Sequence, residues 1–491
     1  MKKVVHFAFI SSSFFISHAR ADSTEVKVIY GKDNRKEVSR ARPWVQGLAQ
    51  STATLIAEKE MTRDAKAPGV VRLNQKSLKE WLETKGEQKI NRKLFSDEIV
   101  EASNAGVTFC DGERFVNQPN PGVCSGFLIA PDLLATAGHC LEIENFCADY
   151  RWVFDFKVDG KTGKAGLDVK EENIYKCKKV VSSALSKALN LDYAVIQLDR
   201  FVVGRRPLKI NSENTIGDGT KIVMIGSPSG LPLKVTAGAA VRTNKHPFFF
   251  SANLDAFQGN SGSAVFNAST GVVEGILVRG EDDFVQNPLL MCIEANRCED
   301  KACRGEDVSR MTSIPEVAVM KMLFASAFEG DLENLQKVLK LNLWVDFYDM
   351  NRQSALMKAA KGGQAKALTL LLTKGADVNL IDVNGNTALH HLAATLSAKN
   401  AEALDVLLTA KAGLEVKNFA GESPLKVAGR LKNLEGARLF IRAGADKNTI
   451  NKLGETILFD FAKEGPGAEL REMLDLGVSP ELENNMGLRA I

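Results

Sequence analysis

Cysteine is absent before Cys110 and after Cys303, so all eight cysteines of the 491-residue chain lie in one internal stretch. No C-x-x-C pair occurs, which removes the spacing of a zinc ribbon or of a thioredoxin-like redox pair. Histidine is scarce, with six in the chain, and no metal or cofactor is expected. An excess of either charge is also missing. With 63 basic against 60 acidic residues the formal charge is +3, too even to imply nucleic acid or an anionic membrane as partner. Long apolar runs are lacking beyond the first residues, so no membrane span is expected.

The N-terminus, "MKKVVHFAFISSSFFISHARA", carries Lys2 and Lys3, a short apolar run and the triplet Ala19-Arg20-Ala21. That order fits a secretory signal over residues 1–21 with an A-x-A cleavage site. It predicts a secreted or periplasmic product. An even number of cysteines confined to one region of an exported chain then reads as disulfides rather than thiol chemistry.

Three textures follow. Residues 22–105 are charged, with the weak pattern "VKVIYGKDNRKEV" and the helix-like "QKSLKEWLETKG", and read as an N-terminal extension or propeptide. From 106 to 315 the chain breaks into short β-branched and aromatic runs, such as "GVCSGFLIA", "DYAVIQL", "KIVMIGSP" and "GVVEGILV", separated by Gly, Pro, Asn and Asp. This pattern predicts an all-β barrel or sandwich.

Residues 318–491 are rich in alanine and leucine and repeat. "NRQSALMKAA", "GNTALHHLAA", "GESPLKVAG" and "GETILFDFA" place Leu356, Leu389, Leu425 and Leu458 at intervals of 33, 36 and 33. Each is followed by a second helical run and a turn such as "KGADVN". The period and turn residues resemble the ankyrin repeat, which implies an α-helical solenoid that binds an unknown protein partner. His390 and His391 fall in "TALHHLAA", where an ankyrin histidine hydrogen-bonds the turns between repeats.

With His6 and His18 in the signal, His139 and His246 remain for chemistry. His139 closes "CSGFLIAPDLLATAGHC", a strand, turn and strand that could bring Cys124 and Cys140 together. This stretch, followed by "DYAVIQL" and "GNSGS", resembles the trypsin-like (chymotrypsin-fold) serine peptidases, in their order His, Asp, Ser. The resemblance implies an all-β double β-barrel, a Cys124–Cys140 disulfide and a triad of His139, Asp192 and Ser261. It also implies an oxyanion hole from the backbone N–H groups of Gly259 and Ser261. A serine hydroxyl is not ionised at neutral pH and needs such a base. Asp192, ahead of the apolar alternation Ala194, Ile196, Leu198, suits a buried carboxylate better than Asp199 beyond it. The whole chain is thus expected to be a multidomain serine endopeptidase, a hydrolase acting on a protein or peptide substrate. The alternative is a catalytically silent peptidase fold serving an ankyrin binding module.

Asn260 stands where vertebrate digestive relatives carry an aspartate that pairs with a new N-terminal amine. "GNSGSAVF" resembles instead the bacterial glutamyl-endopeptidase-like branch, which implies a turn held by neutral hydrogen bonds. The resemblance places Asp255, six residues before Ser261, at the floor of a basic-specific primary pocket, with Arg279 in the "GILVRG" wall able to neutralise it; the alternative is that Asp255 caps a loop. Cys147 and Cys177 could clip a loop to the next strand. Cys110, Cys292, Cys298 and Cys303 are left to pair in one of three ways.

Overall fold

The computed structural model describes residues 29–64, 67–87, 108–212, 216–280, 283–287, 289–299, 303–341, 345–349, 351–463 and 467–491. The signal expected over 1–21 lies outside the described residues.

Twelve strands build two barrels. The first contains β1 (Thr52–Ala57), β2 (Gly122–Ala130), β3 (Leu133–Thr136), β4 (Tyr150–Phe154), β5 (Ile174–Ser186) and β6 (Leu191–Leu198). They close in the order β1-β2-β3-β6-β5-β4. The second contains β7 (Lys221–Gly226), β8 (Lys234–Thr243), β9 (Phe249–Ala252), β10 (Ala264–Asn267), β11 (Val273–Arg279) and β12 (Glu306–Arg310). Its ring runs β7-β8-β9-β12-β11-β10, closed by the β7–β8 pairing. The two barrels therefore share one connectivity, the chymotrypsin-like arrangement. Closure leaves neither sheet with a free edge inside the ring.

This topology corrects the boundary at 106. The first strand of the first barrel comes from the segment read as an extension, and all six residues of "TATLIA" are buried between β2 and β4. Such a strand, covered on both faces, lacks the alternation that marks a half-buried one. Upstream of it, Ile29–Tyr30 pairs in parallel with Arg297–Cys298, and Arg35–Glu37 pairs antiparallel with β8. Lys234 Nζ, buried on β8, lies 3.1 Å from Glu37 Oε2 and 2.8 Å from Gln118 Oε1. The Arg35 guanidinium sits 4.0 Å from the Phe257 ring centroid. The 29–57 segment is thus built into both barrels.

Each barrel is filled from its own strands. Trp152, Phe127 and Phe154 are fully buried in the first, Phe250 and Leu277 in the second. Gly126 lets β2 approach this interior closely, since a Cβ there would lie 2.4 Å from Leu134 Cδ2 and 2.8 Å from Trp152 Cζ3. The disulfides are Cys110–Cys292, Cys124–Cys140, Cys147–Cys177 and Cys298–Cys303, which selects one of the three pairings left open for the last four cysteines.

Past Ser313 the chain becomes helical. Pro315 opens α1 (Pro315–Glu329), where its fixed φ suits the first turn and its missing N–H costs nothing. With α2 (Leu332–Leu339) it makes the first of five helix pairs. The rest are α3 (Ala355–Lys361) with α4 (Ala365–Thr373), α5 (Ala388–Leu392) with α6 (Ala401–Thr409), α7 (Pro424–Arg430) with α8 (Leu434–Arg442), and α9 (Ile457–Ala462) with α10 (Ala468–Asp475). Leu356, Leu389, Leu425 and Leu458, the repeating leucines, are all buried. Ser354 and Ser423 cap α3 and α7 by accepting the N–H groups of Met357 and Lys426. His390 Nδ1 accepts the Thr387 N–H at 3.1 Å, which leaves its Nε2 to donate to the Glu422 carbonyl of the next repeat at 2.9 Å. Burial holds this imidazole below its ordinary pKa, so it serves as a neutral link between repeats.

The stack adjoins the barrels without a gap. Met311, Ile314, Val317 and Met320 belong to the same continuous apolar cluster as Tyr193 and Val195 of β6. Ser182 on β5 donates to Glu316 Oε2 of α1 at 2.8 Å. No helix of the described residues is long and apolar enough to cross a membrane.

Candidate active site

The 3-10 turn Gly138–Glu142 follows β3 directly and carries His139 out of the barrel wall. Its imidazole Nδ1 lies 2.9 Å from Asp192 Oδ2. The other carboxylate oxygen accepts the main-chain N–H of Gly138 at 2.6 Å and of His139 at 3.2 Å. Both oxygens of Asp192 are thereby used, and the side chain is almost wholly buried on β6. Gly138 has to be small, because a Cβ would lie 2.4 Å from Ala184 O and 2.9 Å from Tyr193 O. On the far side, Ser309 Oγ of β12 donates to the Asp192 carbonyl at 2.8 Å. The carboxylate that sequence order paired with His139 therefore does face it. Asp199 instead accepts the Lys176 N–H and meets Arg200 at the surface.

Ser261 comes from the second barrel, in the turn that leads into β10. Its carbonyl accepts the Ser125 N–H of β2 at 2.8 Å and lies 3.9 Å from Cys140 Sγ. Since Cys140 follows His139 and is bonded to Cys124, beside Ser125, the disulfide holds the histidine turn and the Ser125 N–H holds the serine turn on the same strand. Cys124, His139 and Cys140 bring possible ligand atoms within 4.8 Å of one another. The two sulfurs are joined in a disulfide, so they are not available as thiolate metal ligands.

The turn 257–263 is fixed by main-chain and hydroxyl hydrogen bonds and by one carboxylate, Asp283 Oδ2, which accepts the Gln258 N–H at 2.7 Å. The Gln258 carbonyl accepts from Ser229 N–H at 2.5 Å, and the Gly259 carbonyl accepts from Ser125 Oγ at 2.8 Å. The Asn260 carbonyl accepts from Ser263 N–H at 2.8 Å. In a trans peptide the C=O and the following N–H point oppositely, so the Gly259 and Ser261 N–H groups are directed away from these partners. The Asn260 N–H turns inward to Phe257 O at 2.9 Å. Two glycines permit this path. Gly259 has φ +89°, with Ser227 O only 2.6 Å from where a Cβ would stand. Gly262 has φ +88°, with Ser125 O at 2.0 Å and Thr136 Oγ1 at 2.3 Å. Asn260 is buried, and its Oδ1 lies 3.4 Å from Ser263 Oγ.

Ser125 was missed in the sequence. Its hydroxyl donates to Gly259 O and accepts the Ser227 N–H at 2.9 Å, its N–H holds Ser261 O, and its carbonyl takes Thr136 Oγ1 at 2.7 Å. The one local signal was a polar residue between Cys124 and Gly126 in an otherwise apolar strand.

The expected specificity pair does not form. Asp255 is buried and its carboxylate is taken by the backbone: Oδ1 accepts the Tyr30 N–H at 2.8 Å and Oδ2 the Asn34 N–H at 2.7 Å. Burial raises its pKa to about 6, against the pull of those two amides. Arg279 reaches elsewhere, to Asn190 and Asp307. The pocket assignment fails because the 29–37 segment, not recognised as part of the domain, supplies the donors for Asp255. His246 packs its ring 4.1 Å from that of Phe249 and accepts the Phe248 N–H, remote in role from His139.

Residues 124–276 match the trypsin-like peptidase domain, and residues 322–418 match ankyrin repeats in three copies. The chain thus carries a trypsin-like peptidase domain followed by ankyrin repeats, which imply protein–protein binding. It is 28% identical over 208 residues, 40% of its length, to the phosphocholine transferase AnkX of Legionella pneumophila subsp. pneumophila, covering 21% of that protein. An ankyrin repeat protein of Rickettsia felis is 33% identical over 128 residues, 26% of this chain and 42% of that one. The chain therefore spans less than half the length of either relative. Among solved structures, a chain from the complex of the predatory endopeptidase Bd0816 of Bdellovibrio bacteriovorus with the immunity protein Bd3460 is 26% identical. The match covers 35% of this chain and 88% of that chain, with a TM-score of 0.31.

Proposed function

We propose that this chain is an exported serine endopeptidase that cleaves peptide bonds with Ser261, His139 and Asp192, and that its ankyrin stack holds a protein partner or substrate. The reading rests above all on the Asp192 carboxylate, which accepts from two main-chain N–H groups with one oxygen and faces His139 Nδ1 at 2.9 Å with the other. With Nδ1–H donated to the carboxylate, Nε2 is the nitrogen that takes a proton. In the proposed mechanism Nε2 accepts the Ser261 hydroxyl proton as Oγ attacks the scissile carbonyl. Asp192 stabilises the imidazolium, which then passes its proton to the leaving amine. The Gly259 and Ser261 N–H groups receive the developing oxyanion, each donor worth roughly 2.7–4 kcal/mol in such sites. Water repeats the sequence to release the acyl group.

Asn260 favours kinship with the glutamyl-endopeptidase-like branch. An amide forms no ion pair with a new N-terminus, and the bonds that hold the turn from within the chain, those of Ser125, Ser229 and Asp283 among them, fit an oxyanion loop that is ordered without one. The N-terminal signal pattern and eight cysteines joined in four disulfides support a secreted or periplasmic address.

Reaction of the full chain with diisopropyl fluorophosphonate, followed by peptide mass mapping, tests the reading. Label on Ser261 that disappears in Ser261→Ala and falls steeply in His139→Ala is the expected result. A folded wild-type chain that takes no label at Ser261 removes the enzyme assignment and leaves the binding module.

A further inference from the structure

The β5–β6 hairpin carries Asp192 near its tip. Its turn, 187–190, ends at Asn190, two residues before Asp192, with φ +52°, a left-handed conformation that asparagine tolerates better than most residues. This tip belongs to the first barrel but is gripped by the second. Arg279 Nη1 donates to Asn190 Oδ1 at 3.3 Å and Nη2 to the Asn190 carbonyl at 3.1 Å. The Arg279 Nε is 3.8 Å from Asp307 Oδ2, on the neighbouring strand β12. Arg304 also pairs with Asp307, at 2.8 Å, which holds that carboxylate in place. Arg279 itself sits where the β11–β12 register slips by a bulge, between Leu277 and Arg279, a device that re-aims a side chain out of the regular pleat. Two residues further along β12, Ser309 Oγ holds the Asp192 carbonyl.

Resting on the peptidase reading above, we propose that Arg279 is a positioning residue: it clamps Asn190 to Asp307 and so fixes the Asp192 hairpin of the first barrel against the second barrel, which carries Ser261. The geometry explains the choice of arginine. A guanidinium can meet a carbonyl and an amide oxygen on one side and a carboxylate on another while staying planar, whereas an ammonium is a single point charge. His139 and Asp192 move with the first barrel and Ser261 with the second, so any slack between barrels is slack in the proton path. The Ser125 hydrogen bonds to Gly259, Ser261 and Ser227 join the barrels at the serine turn, and the Arg279 clamp joins them at the hairpin tip.

The test uses the full chain and diisopropyl fluorophosphonate, a probe too small to depend on extended substrate pockets. It separates the limiting inactivation rate from the half-saturating concentration. Arg279→Ala is expected to lower the limiting rate about tenfold or more, as small misplacements of reacting groups do, while the half-saturating concentration changes little. Arg279→Lys, able to reach one acceptor, should recover part of that loss, and Asn190→Gly, which allows the left-handed backbone and removes the side-chain acceptor while keeping the carbonyl, should show a smaller fall. Should Arg279→Ala fail to fold, the latter two variants carry the test. Wild-type limiting rates in the folded variants, with the wild-type chain itself labelled, overturn the clamp and leave the peptidase reading standing. A wild-type chain that takes no label overturns the reading and the clamp with it.

Discussion

Asp255 Oδ1 accepts the main-chain N–H of Tyr30 across 225 residues of sequence, at 2.8 Å, and its second oxygen takes the Asn34 N–H at 2.7 Å. A carboxylate at this position would be expected to line a substrate pocket. Here it anchors the N-terminal segment to the second barrel, and its burial has a measurable consequence for stability.

Burial raises the Asp255 pKa from 3.8 to about 6, so between these values the native state binds a proton that the unfolded chain has released. Stability from this group is therefore fully present below about pH 4 and is lost as pH rises through about 6. Its size is on the order of 3 kcal/mol. Asp255→Asn should flatten this part of the stability profile, so that wild type loses stability relative to the variant between pH 4 and pH 7. Asp346, also raised to about 6 by burial, is common to both proteins and cancels in the difference. Denaturant midpoints at the two pH values read the effect, and parallel profiles would contradict it.

Replacing Asp192 by asparagine keeps the volume and changes the proton. The amide oxygen would stay with the Gly138 and His139 N–H groups, turning its NH₂ toward His139 Nδ1 and forcing the ring hydrogen onto Nε2. A base in that tautomer cannot accept from serine. Fluorophosphonate labelling of Ser261 should fall by roughly 10⁴-fold with the fold intact by circular dichroism. Labelling within a few-fold of wild type would show that the carboxylate is not part of the relay.

Ser125→Ala removes one hydroxyl and strands two buried groups, the Gly259 carbonyl and the Ser227 N–H. Each such loss costs about 1–3 kcal/mol, and the variant should unfold at correspondingly lower denaturant. Because the Gly259 carbonyl and the Gly259 N–H, an oxyanion donor in the proposed mechanism, flank the same Cα, the labelling rate should drop even where the protein remains folded. A stable variant with an unchanged rate would mean that Ser125 is a bystander.

Two glycine-to-alanine changes should have opposite signs. Gly262→Ala places a Cβ 2.0 Å from Ser125 O at φ +88°, and soluble folded protein should be lost. Gly47→Ala, in the helix Pro43–Ala49 with nothing within 4 Å, should stabilise by roughly 0.5–1 kcal/mol. Thermal melting compares them directly, and equal effects would contradict the geometry described for the serine turn.

Much of the site was legible because its parts are local. "TAGHC", "DYAVIQL" and "GNSGS" each combine a functional side chain with the small or apolar neighbours its backbone path needs, and Gly138, Gly259 and Gly262 all prove to be sterically required. The helical repeats were legible for a similar reason: each repeat buries its leucine against the next, so the period survives in the sequence. Ser125 was illegible because one polar residue in a buried strand gives no hint of which atoms surround it. Thr52–Ala57 escaped because a strand covered on both faces has no alternation to betray it.

By itself the sequence determined the order of the histidine, aspartate and serine segments and the period of the helical stack, which show within a few tens of residues, while the triad roles and the Cys124–Cys140 link came from the resemblance those segments carry. Tertiary structure alone decided that residues 29–57 belong to the barrels, that Asp255 binds backbone rather than facing a pocket, and that Arg279 reaches Asn190. The reason is physical. A hydrogen bond or ion pair is set by where donor and acceptor atoms of distant segments come within about 3 Å, and closing two rings of six strands settles such distances only when every strand is in place.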